Sequence, residues 1–149
     1  MTRTRIVLSV LILLAASHAH AGSPADIAAG LAPEVVQVVS GGTWEDAGKK
    51  GGYRAVLVVP VGGGAAQLFV EWLAAGADGG APALVTASPI KEINDLKMPD
   101  ATLSSETEKK NEFTVFVEPN DPNKDGGQTY AILAGAPGKY TFSLGAPPE

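Results

Sequence analysis

The sequence predicts an all-β protein: a single-domain antiparallel β-sandwich of about seven to eight short strands, with a small β-barrel as the alternative. Strand-like segments recur at intervals near ten residues, separated by turn residues, as in sandwiches. Residues 53–73 place two runs rich in Val, Leu, Phe and Trp on either side of a glycine triplet, the composition of a β-hairpin. Residues 139–144 alternate apolar and polar side chains with a period of two. These observations favour a sheet protein.

The N-terminus has the pattern of a secretory signal peptide. Arg3 and Arg5 precede a short apolar run, residues 6–16, and Ala19-His20-Ala21 supplies a small-residue cleavage site. An uncleaved N-terminal anchor is the alternative, although the run is about half of the roughly 20 residues that span a bilayer. The predicted organisation is a signal peptide (1–21), a leader or short helix (22–33), the β-sandwich domain (34–145) and a disordered tail (146–149). The chain is therefore expected to be secreted or periplasmic, with no membrane insertion after cleavage.

The 53–73 hairpin is predicted to be the centre of the domain. A type I′ turn at Gly63-Gly64 suits glycine, because both central residues need a positive φ. The resulting register pairs Val61 with Ala66, Val59 with Leu68, Leu57 with Val70 and Ala55 with Trp72. It places Arg54 diagonal to Glu71, which predicts a cross-strand ion pair; an anion-binding arginine is the alternative.

The other predicted strands flank this hairpin on both sides. They are residues 34–40 (broken at Gly41-Gly42 and resuming over 43–45), 82–88, 101–106, 112–118, 128–134 and 139–144. A charged turn over 46–52 leads into the hairpin, and 107–111 forms a hairpin tip. Residues 89–96 carry apolar side chains three apart, which allows a short helical turn or an irregular crossing.

The residue types that remain after signal cleavage limit the available chemistry. Both histidines, His18 and His20, lie in the signal, and the chain has no Cys. A Ser-His-Asp triad and a cysteine nucleophile are thereby excluded, and zinc loses its usual ligands. The mature chain carries about seven net negative charges, which argues against nucleic acid and anionic membranes. Carboxylate pairs such as Glu45 and Asp46 form no catalytic constellation, so no enzyme is expected.

One segment resembles an oxygen-ligand calcium loop. Asp121, Asn123 and Asp125 have the Asp-x-Asn-x-Asp-Gly spacing of the first half of an EF-hand or thrombospondin-type loop. Ile132 occupies the twelfth position, where a bidentate Glu is expected. The alternative is a plain loop of good turn formers, and no cofactor is required in that case.

Aromatic side chains are the remaining candidate ligand-binding surface. Trp44, Tyr53 and Tyr130 could form an exposed platform for sugar rings, whereas Trp72 and Tyr140 are expected to pack in the core. For Trp44 a packing role is the favoured alternative, because Trp is on average highly buried. The functional expectation is a non-catalytic binding or structural module that engages a protein or cell-envelope component. A carbohydrate-binding module and a weakly calcium-stabilised module are the alternatives.

Overall fold

The computed structural model describes residues 31–76, 80–120 and 127–146. These residues form eight antiparallel strands and one short helix, as two four-stranded sheets that do not close into a barrel. The predicted β-sandwich is therefore confirmed at the level of fold class. The elements in chain order are β1 (Val35–Asp46), β2 (Lys49–Val58), β3 (Gln67–Ala74), β4 (Ala83–Pro89), α1 (Lys91–Asn94), β5 (Ala101–Glu106), β6 (Phe113–Pro119), β7 (Tyr130–Ala134) and β8 (Tyr140–Leu144).

Each sheet is a simple meander in which every strand pairs with its neighbours in the sequence. The first sheet has the order β1-β2-β3-β4 and the second has the order β5-β6-β7-β8. The inner faces pack their alternate apolar side chains into one core. Its largest fully buried side chains include Trp72, Phe113, Leu57 and Ile132. Burial of this apolar surface is the main stabilising term of the fold.

The segment that connects β4 to β5, here called the crossing, passes from the first sheet to the second and covers one end of the core. Ile90 and Ile93 are fully buried there, and the predicted short helical turn is confirmed as α1. The Asn94 side-chain amide accepts a hydrogen bond from the Leu68 backbone N–H (2.7 Å) and donates one to the Leu68 carbonyl (3.3 Å). Asn94 therefore extends the hydrogen bonding of β3 beyond its paired strands and attaches the crossing to the first sheet.

A second side-chain amide links the two sheets at a neighbouring pair of edge strands. Gln37 on β1 donates a hydrogen bond from Nε2 to the Leu103 carbonyl (2.9 Å) and accepts one at Oε1 from the Leu103 N–H (2.8 Å). The amide group thus pairs with β5 as a backbone peptide unit would, and it satisfies edge groups that would otherwise face water or another chain.

The predicted register of the central hairpin is wrong by two residues. The structure pairs Leu57 with Leu68, Ala55 with Val70 and Tyr53 with Trp72. The chain leaves β2 at Val58 and turns through Pro60–Gly63, where the Gly63 N–H bonds the Pro60 carbonyl (3.1 Å). Gly62 takes the positive φ of 92° that this turn needs, so the predicted turn at Gly63-Gly64 is not used. A shift of two residues preserves the side-chain faces, which is why the predicted inner face is correct.

The strand boundaries before the central hairpin also differ from the prediction. β1 continues through Gly41 and Gly42 by means of a register shift, a β-bulge, instead of breaking there. The predicted loop at 46–52 is only a two-residue turn, because Asp46 already pairs with Lys49. Gly51 and Gly52 are therefore strand residues, and both line a groove at this end of the sheet.

The turn between β1 and β2 offers a stabilising substitution. Ala47 (φ 48°) and Gly48 (φ 76°) both adopt the left-handed conformation of a type I′ turn. The left-handed conformation is about 1 kcal/mol unfavourable for alanine because of steric crowding, whereas asparagine tolerates it. Ala47→Asn is expected to raise the free energy of unfolding by about 0.5–1 kcal/mol in urea denaturation. Ala47→Val, which is β-branched, should lower it, and equal stabilities of the two variants would contradict this view of the turn.

Candidate functional site

The outer face of the first sheet carries a cluster of apolar side chains exposed to solvent. Val38, Val56 and Phe69 lie side by side across β1, β2 and β3, because each is paired with the next in the strand registers. Val36 and Val58 flank this row. Val36 is 52% exposed and Val38 is 40% exposed, while the other three are partly exposed. These five residues are called the outer apolar patch. Contiguous exposed apolar surface of this kind marks interaction sites on soluble domains.

The outer face of the second sheet is polar along its edges. The edge strands β5 and β8 present hydroxyl or acidic residues outward: Thr102, Ser104, Glu106, Thr141 and Ser143. The central strands also carry outward apolar side chains, Phe116 on β6 and Leu133 on β7, which are partly exposed. An antiparallel sheet with one solvated face normally has polar residues at outward positions. The first sheet departs from this pattern from its edge strand β1 through β3, where Val36 and Val38 are the most exposed.

An ion pair between Arg54 and Glu71 lies beside the outer apolar patch. Arg54 and Glu71 are directly opposite each other on β2 and β3, and the Arg54 Nε donates to Glu71 Oε2 at 2.6 Å. The predicted cross-strand ion pair is confirmed, although the two residues are opposed and not diagonal. Their side chains are 41% and 16% exposed, so the pair is partly desolvated among its apolar neighbours.

An open groove of about 700 Å³ lies at the end of the first sheet where β1 and β2 turn. Thr43, Gly52 and Leu73 are neighbours across three strands in its floor. On the rim, Lys110 from the β5–β6 turn donates a hydrogen bond to Glu45 Oε2 at 2.9 Å. That bond and the positive charge of Lys110 lower the pKa of Glu45, and Glu45 in turn raises the pKa of Lys110. Both groups are exposed, so this pair adds little stability.

The structure does not provide the exposed aromatic platform expected from the sequence. Trp44 and Tyr53 both border the groove, yet each is only 2% exposed. The Trp44 indole N–H donates to the Gly52 carbonyl (3.1 Å), and the Tyr53 ring stacks on Phe113 with ring centroids 5.5 Å apart. Tyr130 lies on β7, partly buried against Phe142. The platform alternative is therefore wrong for Trp44 and Tyr53, whose rings fill space beside glycines and between the sheets, and the packing role favoured for Trp44 is the one observed.

Tyr53 and Trp72 join the two sheets through one shared acceptor. The Tyr53 hydroxyl (3.0 Å) and the Trp72 indole N–H (2.8 Å) both donate to the carbonyl of Gly135, in the turn between β7 and β8. Trp72 is fully buried, as predicted, and its ring meets that of Tyr53 edge to face at 6.2 Å. Tyr140 packs at the core margin and donates to Glu92 at 3.0 Å.

The buried phenol of Tyr53 predicts a loss of stability at alkaline pH. Burial, with a smaller contribution from the Glu112 carboxylate, raises the pKa of Tyr53 to about 12. In the unfolded chain the phenol ionises near pH 10. The stabilisation that the neutral Tyr53 phenol gives the folded state is therefore complete below about pH 10. It is lost as the pH rises through about 12, because the unfolded state releases the proton first. The free energy of unfolding should fall across this window by up to about 2 kcal/mol more than in Tyr53→Phe.

This comparison isolates the Tyr53 phenol from the other ionisable groups of the chain. Those groups are present in both proteins, so only the difference between the two pH profiles reports on the phenol. Tyr53→Phe should also cost about 1 kcal/mol at neutral pH, since one hydrogen bond to Gly135 is lost. Parallel profiles between pH 9 and pH 12 would show that Tyr53 ionises equally easily in both states.

The predicted calcium ligands Asp121, Asn123 and Asp125 lie outside the described residues. The calcium hypothesis therefore stays a prediction, and thermal melts with calcium and with a chelator test it. A ligand that binds only the folded state raises the midpoint with its concentration, so a rise with calcium is expected if the loop is a site. Equal melting midpoints with calcium and with chelator would mean that the segment binds no calcium and is a plain turn.

Two further findings apply to the described ranges alone. Within 31–76, 80–120 and 127–146, no three His, Cys, Asp or Glu side chains come together in a group that could hold a metal ion. No helix in this part of the chain is both long and apolar enough to cross a membrane. Comparison of the chain with models of known families, with curated proteins and with solved structures finds no match in any of the three.

The outer apolar patch is the surface that the sequence interpretation missed. The signal was present, because β2 and β3 carry apolar residues at outward as well as inward positions: Val56, Val58 and Phe69 interrupt the alternation expected of a solvated sheet. That lack of alternation favours a sheet covered on both sides. The predicted aromatic site instead included Trp44 and Tyr53, whose rings are buried and stabilise the sandwich.

Proposed function

We propose that this chain is an exported, non-catalytic binding domain whose outer apolar patch covers an apolar surface of a protein partner outside the cytoplasm. One observation carries the proposal: of the two outward sheet faces, the first presents contiguous Val and Phe side chains while the second is bordered by hydroxyl and acidic residues. Exposing such side chains to water costs about 25 cal/mol per Å², and a partner that covers them recovers this free energy.

Binding is favoured over catalysis by the residue types around the patch and groove. The chain carries no His after position 20 and no Cys at all, so nucleophile and base must come from carboxylates, lysines or hydroxyls. Glu71 beside the patch and Glu45 on the rim of the groove are each engaged with a cation. A general acid or base needs a carboxyl group that is free to exchange a proton with a substrate.

A protein partner fits the patch better than a sugar or an anionic membrane. Sugar rings stack on exposed planar aromatics, whereas the patch is aliphatic apart from Phe69. An anionic membrane attracts clustered Lys and Arg, and Arg54, which lies beside the patch, is already paired with Glu71. The export part of the proposal is supported by the pattern of residues 1–21.

Cysteine labelling tests the proposal, because the native chain has no thiol. A Val38→Cys variant places one thiol in the outer apolar patch, and a Ser104→Cys variant places a matched thiol on the outer face of the second sheet. Each is treated with a membrane-impermeant maleimide, first as dilute purified protein and then in cells of the organism that encodes the chain, with the outer envelope permeabilised and the inner membrane left sealed. The Val38→Cys thiol should react in the purified protein and be protected in the envelope, while the Ser104→Cys thiol reacts in both.

The same experiment can overturn the proposal in two separate ways. Equal reactivity of the two thiols in the envelope would show that nothing covers the outer apolar patch. Labelling of neither thiol until the inner membrane is lysed would show that the chain is not exported. Export also predicts that the mass of the isolated protein corresponds to a chain that begins at Gly22.

A further inference from the structure

We infer that the partner covering the outer apolar patch is a second copy of this chain, packed face to face through the first sheet. The inference rests on the proposed function, since it names the occupant of the same surface. The even number of strands in the sheet allows this arrangement, and the charged and apolar rows on its outer face support it. The midline of the first sheet runs between β2 and β3. A two-fold axis that lies between the two copies, parallel to the strands and above this midline, places β2 of one copy over β3 of the other.

The charged row of the sheet is complementary to itself under this symmetry. Across the four strands the row reads Ser40, Arg54, Glu71 and Ala87. Rotation about the midline places Arg54 of each copy opposite Glu71 of the other. Every charge then has an opposite charge beside it in its own sheet, at 2.6 Å, and another across the interface. A network of this kind satisfies more of each charge's hydrogen-bonding capacity than an isolated pair, which reduces the cost of desolvation.

The apolar row matches itself in the same way. It reads Val38, Val56, Phe69 and Pro89 across β1 to β4. The rotation places Val56 over Phe69 and Val38 over Pro89, so apolar groups meet apolar groups along the whole row. Stacked sheets pack about 10 Å apart and cross at about 30°, which keeps the central pairs opposed while the corners diverge.

The size of the sheet indicates a weak, concentration-dependent dimer. Four strands about 4.8 Å apart and seven residues long at about 3.4 Å each cover roughly 450 Å² per copy. Stable complexes bury about 800 Å² per partner, and weak reversible ones bury less. We therefore expect a dissociation constant in the micromolar range or above.

Charge reversal gives a specific test by sedimentation velocity on the mature chain. Wild-type protein should shift from monomer to dimer between about 1 μM and 1 mM. Arg54→Glu leaves two acidic groups facing two acidic groups across the axis, and Glu71→Arg leaves two basic groups facing two basic groups. Each variant alone should weaken dimerisation at least about tenfold.

Mixing these two single variants should restore association. The acidic copy then faces the basic copy, so both interfacial pairs have opposite charges again. The double variant Arg54→Glu/Glu71→Arg should also dimerise by itself, since it exchanges the charges within and between copies. Ser104→Lys on the second sheet is the matched control and should dimerise as the wild type does. Circular dichroism melts confirm that each protein is folded before it is compared.

The outcomes separate this inference from the proposed function. A wild type that stays monomeric to about 1 mM, or single variants whose mixture does not associate, would overturn the second copy as partner. If the Val38→Cys thiol is nevertheless protected in the envelope, the binding function stands with a different protein. An unprotected thiol together with a monomeric chain would overturn both.

Discussion

Replacing Gly51 with alanine is expected to lower the free energy of unfolding by more than about 3 kcal/mol, or to prevent folding. Gly51 lies in β2 directly opposite Ala74 of β3. A Cβ atom at Gly51 would lie 1.8 Å from the Leu73 carbonyl oxygen and 2.8 Å from its carbonyl carbon. Both are backbone atoms of a paired central strand, so no side-chain rotation relieves the overlap. Urea denaturation followed by tryptophan fluorescence would measure the loss.

Gly52 provides the matched control one residue away. A Cβ there meets only the Gly42 carbonyl oxygen, at 3.6 Å, which is an ordinary contact distance. Gly52→Ala should therefore change stability by less than about 1 kcal/mol, and the reduced entropy of the unfolded chain favours a small gain. If the two alanine variants were equally stable, β2 and β3 would have to separate at this point more easily than the paired register indicates.

The two glycines show which parts of the fold the sequence could predict. Composition places Gly51 and Gly52 in a loop, because glycine is depleted in strands and common in turns. Nothing local indicates that β3 approaches so closely that only glycine fits, since that contact is between segments more than twenty residues apart in the sequence. The same reason explains the bulge at Gly41 and Gly42, which lies where β1 contacts Phe113 of the second sheet.

Side-chain periodicity was a better guide than turn composition. The inward positions of β6 follow directly from alternation, and so does the inner face of the central hairpin. In β8 the alternation correctly places Tyr140 and Phe142 toward the core, but Leu144 at the strand end is 59% exposed. The register of that hairpin could not be predicted, because three consecutive glycines and Pro60 allow several turns that differ by two residues. Only packing against the crossing, where the Ala66 N–H bonds the Met98 carbonyl (2.6 Å), selects among them.

The candidate site was less predictable than the fold for a physical reason. Burial of an aromatic ring depends on what lies above its strand, and β1 passes under the β5–β6 turn near Trp44. The outer apolar patch, in contrast, is readable from the sequence as missing alternation in β2 and β3. Which face lacks a cover becomes evident only when both sheets are in place.

Replacing Trp72 with alanine is the second change for which we expect a large effect, a loss of about 3–5 kcal/mol in the free energy of unfolding. Trp72 is fully buried on the inner face of β3, so the substitution leaves a cavity between the sheets and removes the edge-to-face contact with Tyr53. It also removes the 2.8 Å hydrogen bond to the Gly135 carbonyl. Thermal and urea unfolding followed by circular dichroism would give the value.

The contribution of the shared hydrogen-bond acceptor can be separated from that of the cavity by a double-mutant cycle. Trp72→Phe and Tyr53→Phe each remove one donor to the Gly135 carbonyl and leave the other in place. The double variant leaves that carbonyl with neither, so its loss should exceed the sum of the single losses by about 0.5–1.5 kcal/mol. Additive losses would mean that water or a backbone N–H replaces the missing donors, and that the two rings stabilise the sandwich by packing alone.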